Sequence, residues 1–236
     1  MDLTGFQALS FDCYGTLIDW ETGIWQALQP WIERTGQDIE REALLAQFGG
    51  VETIIETRQP DLRYPLVLAE TLRTMAANLG VDVTDEECAA FGASVGNWPA
   101  FPDSAEALKR LKQRFKLIIL SNVDRASFAK SNTKLGVDFD LIITAEDVGA
   151  YKPAQRNFDR LFAEIGSIGI SRNDLVHVAE SLFHDHGPAQ RNHVTSVWIH
   201  RRHEKGGSGA THPPEGVHEP DWRFTSMTAF ADAALA

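Results

Sequence analysis

The chain has 236 residues, enough for one large domain or a core with a second lobe, and its 43% of hydrophobic residues is sufficient for a buried core. The 33 acidic residues outnumber the 22 Lys and Arg, giving a formal net charge of −11, which disfavours nucleic acid as a partner because phosphate binding depends on basic side chains. No segment resembles a signal peptide or a membrane-spanning run, so the sequence predicts a cytoplasmic protein without a membrane partner.

The first predicted element is a strand over residues 7–13, an apolar run that ends in Asp12 and is followed by the turn signal Tyr14-Gly15. Residues 20–96 then contain no strand-like run. Helical periodicity recurs there in five segments: 24–36, 39–48, 51–59, 64–80 and 84–96. We therefore expect residues 20–96 to form a helical cap domain, inserted into a core domain made of residues 1–19 and 97–236.

The second half of the chain alternates strands with helices. Near-continuous apolar runs, typical of strands covered on both faces, occur at Lys116–Ser121, Leu141–Thr144, Leu175–Ala179 and 196–200. Helices are predicted between them at 103–115, 125–136 and 153–166. This alternation predicts the fold class α/β, with a Rossmann-like parallel sheet and right-handed crossovers.

Polar residues stand where the predicted strands end. The carboxyl ends of parallel strands meet at one edge of a sheet, which is where ligands bind in such folds. Each residue has an ordinary structural explanation when taken alone, such as capping a turn or facing solvent. Together they favour a functional site: Asp12, Ser121, Asn122, Lys152, Glu180, Ser181 and Asp185.

The order and spacing of these residues resemble the motif set of the haloacid dehalogenase (HAD) superfamily. The matching stretches are FDCYGTL at 11–17, SN at 121–122, YKP at 151–153 and ES…HD at 180–185, with the insertion where the family has its helical cap. The resemblance implies a HAD-like fold and an aspartyl-ester mechanism. It implies that Asp12 is the nucleophile and that Thr16 supports it. It also implies that Lys152 orients Asp12, while Ser121 and Asn122 bind a substrate anion.

Tyr14 bears on the leaving group. Superfamily phosphatases usually carry a second Asp two residues after the nucleophile, which protonates the departing alkoxide. A phenol, with a pKa of about 10, is a weak acid for that task, whereas a halide leaves without a proton. The pattern Asp-x-Tyr-Gly-Thr also resembles the (S)-2-haloacid dehalogenase branch. The alternative is that Tyr14 only packs as a wall and another group protonates the leaving group.

The first hypothesis is therefore a 2-haloacid dehalogenase, in which Asp12 displaces halide and water then releases a 2-hydroxy acid. Asp185, with Glu180, would position or activate that water. No metal is required, because Lys152 supplies the positive charge. The partner is a small anionic substrate such as a 2-haloacid, contacted by the side chains of Tyr14, Ser121, Asn122, Glu180 and Ser181.

Two departures from the dehalogenase pattern keep other hypotheses open. The family's cap arginine has no counterpart near residues 48–50, leaving Arg58 and Arg63 as substitutes. Glu180 stands where phosphatases place a magnesium-binding acid, so a Mg²⁺-dependent phosphatase with Asp12, Glu180 and Asp185 as ligands is the second hypothesis. A non-catalytic HAD-fold binding protein is the third.

The remaining expectations concern the surroundings of this site. An apolar halide pocket is predicted from four aromatic residues: Trp20, Trp25, Phe48 and Trp98. Residues 203–220, rich in Gly, Pro and His, are predicted to form a mobile loop whose histidines are solvated rather than metal-bound. The two cysteines, Cys13 and Cys88, are expected to be reduced. The resemblance also makes a homodimer possible.

Overall fold

The computed structural model describes residues 1–214, 216 and 218–236. Its centre is a six-stranded sheet in which every neighbouring pair is parallel, in the order β3-β2-β1-β4-β5-β6. The strands are β1 (Ala8–Phe11), β2 (Lys116–Ser121), β3 (Leu141–Thr144), β4 (Leu175–Ala179), β5 (Thr195–Ile199) and β6 (Trp222–Phe224). The predicted α/β class and parallel sheet are confirmed.

The helices cover this sheet and fill the interval between β1 and β2. The first four helices, all in that interval, are α1 (Trp20–Thr35), α2 (Arg41–Arg58), α3 (Tyr64–Leu79) and α4 (Asp85–Gly92). The others are α5 (Ser104–Lys112), α6 (Arg125–Leu135), α7 (Ala145–Val148), α8 (Gln155–Ile165), α9 (Gly187–Arg191) and α10 (Met227–Ala234). The division into a core and a cap at residues 20 and 96 stays a prediction.

Helix α2 corrects the sequence prediction. Two helices were expected on either side of Gly49-Gly50, but the helix runs through both glycines. A Cβ atom on Gly49 would lie 2.2 Å from the backbone oxygen of Ala210, so this position requires a glycine for close approach of another chain segment. The helix is therefore continuous where a break was predicted, and Gly49 serves its packing against Ala210.

The loop that approaches α2 packs against that helix. Among their described positions, residues 203–220 contain no helix or strand, yet Ala210 is buried against Gly49. Arg202, directly before this loop, is buried and pairs with Glu21 of α1 and Glu42 of α2. One point of the predicted loop, Ala210, thus packs against α2, and the mobility of the loop stays a prediction. Its Glu215 and Val217 lie outside the described residues.

Two further findings concern absences. No helix among the described residues is long and apolar enough to cross a bilayer. In the same residues, no group of three His, Cys, Asp or Glu side chains is arranged to hold a metal ion. The three loop histidines, His203, His212 and His218, therefore do not form such a group. His203 and His212 each contact a nearby backbone carbonyl, and His218 contacts the Gln190 side chain.

Candidate active site

The candidate site is a pocket at the carboxyl edge of the sheet, with Asp12 directly after β1. Strand β1 is central in the sheet, so its end faces the pocket from the middle of the edge. Asp12 is 6% exposed, and both carboxylate oxygens have partners: Oδ1 accepts from Lys152 Nζ at 2.9 Å and Oδ2 from Thr16 Oγ1 at 2.6 Å. Burial raises the pKa of Asp12, and the charge of Lys152 opposes that rise. The three predicted residues are thus brought together.

Lys152 joins Asp12 to a second acid. Its Nζ donates to Asp185 Oδ1 at 2.7 Å, and the lysine side chain is itself only 2% exposed. Burial lowers the pKa of Lys152, but its pairing with Asp12 and Asp185 outweighs this and leaves the pKa above its usual value. For Asp185, burial raises the pKa, but Lys152 and His177 lower it by more, so the pKa is below its usual value. One ammonium therefore lies between two carboxylates away from water.

His177, which the sequence analysis did not single out, completes this network. Its Nε2 lies 2.9 Å from Asp185 Oδ1, and its Nδ1 lies 2.9 Å from Ser10 Oγ. Both His177 and Ser10 are fully buried in neighbouring strands. The other oxygen of Asp185, Oδ2, is buried without a partner among the described residues. A histidine inside the apolar run LVHVA was the only signal for this contact.

The last residue of β2 and the residue that follows it have two different roles in the geometry. Ser121 is 1% exposed, lines the pocket, and its Oγ has no partner among the described residues. Both polar atoms of the Asn122 side chain have hydrogen-bond partners. Its Oδ1 accepts from Lys152 N at 2.7 Å, and its Nδ2 donates to Lys152 O at 3.2 Å. Asn122 therefore holds the lysine backbone, while Ser121 presents a free hydroxyl.

Tyr14 lines the pocket but is held from outside it. Its hydroxyl lies 2.8 Å from Ser131 Oγ of α6, and its ring contacts Trp98 edge-on. Burial raises the pKa of the phenol well above its usual value. The phenol is therefore a still weaker acid and less able to protonate a departing alkoxide.

Glu180 does not line the Asp12 pocket. Its carboxylate accepts from Thr211 Oγ1 at 3.2 Å and lies in a neighbouring cavity with Glu21. Burial raises the pKa of Glu180 to about 8, helped by the charge of Glu21. Ser181 does line the pocket, where its Oγ accepts from His184 N at 2.9 Å. The three predicted magnesium ligands thus do not form a metal site in the described residues.

The comparisons with known proteins decide the family. The family model for haloacid dehalogenase-like hydrolases matches residues 6–182. The chain belongs to this family. A curated (S)-2-haloacid dehalogenase from Pseudomonas sp. strain YL is 25% identical over 230 residues, covering 96% of this chain and 93% of that protein. The (S)-2-haloacid dehalogenase of Pseudomonas putida is 24% identical, with coverage of 85% and 87%.

Solved structures share the fold over almost the whole hydrolase. The L-2-haloacid dehalogenase of Xanthobacter autotrophicus has a TM-score of 0.75 at 18% identity and covers 96% of this chain and 97% of its own. A Bacillus subtilis protein described as a putative HAD-hydrolase bound to magnesium has a TM-score of 0.77 at 16% identity, with coverage of 98% and 99%. At these identities the likeness concerns the fold alone.

The part of the pocket lined by α2 and α3 differs from the expectation for a dehalogenase of this family. Neither Arg58 nor Arg63 lines the pocket; both are exposed, and Arg63 pairs with Glu146. Of the four predicted aromatic residues, only Trp20 lines it. Helix α2 instead contributes two glutamates, and α3 contributes a tyrosine: Glu52, Glu56 and Tyr64. The sequence analysis missed these three residues, whose apolar neighbours in the helices resemble ordinary core.

Proposed function

We propose that this hydrolase removes halide from a 2-haloacid through an ester formed on Asp12. The observation that carries the proposal is the buried aspartate held by Lys152 and Thr16 at the carboxyl edge of the sheet. The curated relatives, which are named (S)-2-haloacid dehalogenases, support the substrate class. Tyr14, where an acid would stand in a phosphatase, supports a leaving group that needs no proton.

In the first step an oxygen of Asp12 attacks the carbon that bears the halogen. The new carbon–oxygen bond forms as the carbon–halogen bond breaks, and the halide leaves with the bonding electrons. Lys152 and Thr16 fix the direction of the carboxylate. This lowers the entropic cost of reaching the geometry in which the oxygen attacks. The free hydroxyl of Ser121 and the backbone N–H groups after β2 hold the substrate carboxylate.

In the second step water attacks the carbonyl carbon of the Asp12 ester. Asp185, whose Oδ2 has no partner among the described residues, accepts the proton of that water. The 2-hydroxy acid leaves with the oxygen that Asp12 contributed, and one oxygen of the regenerated carboxylate comes from water. Lys152 offsets the negative charge of the intermediate, so neither step requires a metal ion.

The test is chloride release from 2-chloropropionate in the presence of EDTA. We expect turnover that is insensitive to the chelator and that falls by about 10³-fold or more in Asp12→Asn. Hydrolysis of p-nitrophenyl phosphate that depends on Mg²⁺, without chloride release from any haloacid, would support the phosphatase hypothesis instead. Absence of both activities would return the hydrolase to the binding-protein hypothesis.

A further inference from the structure

Two buried carboxyl groups of α2 form part of the pocket wall opposite the sheet. Glu52 is 3% and Glu56 5% exposed, and they are one helical turn apart. Glu52 Oε1 accepts from Tyr64 OH at 2.7 Å, and Glu56 Oε2 accepts from Asn122 Nδ2 at 3.4 Å. Neither carboxyl forms an ion pair with a described residue. The only cationic side chain of the described residues that lines the pocket is Lys152, which is paired with two aspartates.

Buried carboxylates without a counterion are costly, so such groups either bind a proton or meet a cation from elsewhere. Burial raises the pKa of Glu52 to about 8 and that of Glu56 well above its usual value, which favours the protonated carboxyl where no cation is near. A ligand that carries a positive charge to this wall would replace those protons.

Other pocket atoms also lack partners within the described chain. Ser121 Oγ, on a residue 1% exposed, and His184 Nε2, on a residue 8% exposed, are both buried and unpaired there, and both residues line the same pocket. Three aromatic side chains complete the lining: Tyr14, Trp20 and Tyr64. Aromatic faces attract cations, and their combination with carboxylates is suited to an ammonium group.

We propose that Glu52 and Glu56 bind an ammonium group of the substrate, and that this hydrolase prefers 2-haloacids whose side chain carries an amine. This rests on the proposed function for the reaction at Asp12, and adds the substrate class. The haloacid carboxylate is held at Ser121, the reacting carbon faces Asp12, and the amine extends toward α2.

The test compares chloride release from amino-substituted and unsubstituted acids of equal chain length. The pairs are 3-amino-2-chloropropanoate with 2-chloropropanoate, 4-amino-2-chlorobutanoate with 2-chlorobutanoate, and 5-amino-2-chloropentanoate with 2-chloropentanoate. In at least one pair we expect kcat/KM to be tenfold or more higher for the amine. In Glu52→Gln/Glu56→Gln that ratio falls by tenfold or more. The control Glu86→Gln retains it, because Glu86 is an exposed acid of α4 that does not line the pocket.

Equal or lower kcat/KM for the amine in all three pairs with the wild-type hydrolase would overturn the proposal, whether or not the double variant folds. An unchanged ratio in a folded double variant would overturn it as well. If no acid releases chloride, the proposed reaction fails, and calorimetric binding of 4-aminobutanoate against butanoate decides the ammonium site separately. Tighter binding of the amine by tenfold, with release of protons, supports the site; equal binding overturns it.

Discussion

At the scale of the residue, the site depends on one lysine shared by two buried aspartates. Removing one partner of a buried ion pair leaves an uncompensated charge, which costs about 3–5 kcal/mol. We therefore expect Lys152→Met to lower the free energy of unfolding by about that amount in urea at neutral pH. The pairing of Lys152 with Asp12 and Asp185 is the cause.

The matched control is Lys112→Met, which removes a partly exposed lysine paired with Asp140. Partly exposed pairs contribute at most about 1 kcal/mol, so the control is expected to change stability little. Equal effects of the two substitutions would contradict the assignment of Lys152 as the counterion of both aspartates.

His177 gives a second prediction at this scale. It holds Asp185 Oδ1 from within β4, so His177→Leu releases the aspartate that accepts the proton from water. We expect the second step to slow by roughly 10²-fold, within the range for general base catalysis, while the first step is less affected. A rapid-quench experiment would then show a burst of halide followed by slow turnover, and mass spectrometry would show the substrate group retained on Asp12.

A proportional loss of the burst and of the steady rate would contradict this role of His177. Ser10→Ala is the matched control, because the Ser10 hydroxyl contacts the far nitrogen of the histidine and the backbone oxygen of Val176, and not Asp185. We expect it to produce a smaller change in the same direction.

Sequence reasoning predicted some of these residues and missed others for a physical reason. Asp12, Lys152 and Asp185 stand beyond strand ends, where a polar residue is conspicuous after an apolar run. His177 and Glu52 lie within buried elements, and their partners Asp185 and Tyr64 lie in other elements. Local periodicity assigns such residues to a strand or a helix but does not show which residues face them.

At the scale of the element, α2 is the helix that carries the acidic wall, and its Gly49 fits against Ala210. A Cβ atom at Gly49 would meet that backbone at 2.2 Å, so Gly49→Ala is expected to destabilise the fold by about 1–3 kcal/mol. The neighbouring Gly50 is exposed in the same helix, with nothing within 4 Å of an added Cβ. Gly50→Ala is therefore expected to stabilise by about 0.5–1 kcal/mol, because alanine is the better helix former.

Thermal unfolding of the two variants measures this contrast. Opposite shifts in Tm support the contact between α2 and the loop before β6, and similar shifts would contradict it. The sequence analysis placed a helix boundary at these glycines because glycine weakens a helix. It also missed β6, since a three-residue edge strand after a Pro-rich loop gives little periodic signal.

At the scale of the whole molecule, the buried carboxyls link stability to pH. Glu52, Glu56 and Glu180 have pKa values raised by burial, so between about pH 5 and 8 the folded chain still holds protons that the unfolded chain has already released. At these three groups the unfolded state therefore binds fewer protons, and their contribution to the free energy of unfolding falls as pH rises. His184 and His186, whose pKa values burial lowers to about 4, oppose this decline below about pH 6.5. Above about pH 8 the loss from Glu52 is complete.

We expect the free energy of unfolding of Glu52→Gln to fall less steeply with pH than that of the wild type. The difference between the two is therefore expected to grow from pH 5 to pH 8. Urea unfolding at several pH values measures it, with Glu86→Gln as the exposed control. A decline as steep in Glu52→Gln as in the wild type would contradict the protonated state of Glu52.

The homodimer and the cytoplasmic location stay predictions. Leu66 of α3 is an exposed apolar side chain, 53% accessible to solvent. Analytical sedimentation would determine the oligomeric state.

The covalent role of Asp12 is tested most directly by a single turnover in ¹⁸O-labelled water, with the hydrolase in excess over a 2-chloro acid that it turns over. Attack by Asp12 transfers one of its own oxygens to the product, and water restores that oxygen. We predict ¹⁸O in the Asp12 carboxylate of the digested protein and unlabelled oxygen in the hydroxyl group of the product. Label in the product alone, with Asp12 unlabelled, would contradict the ester and point to direct attack by water.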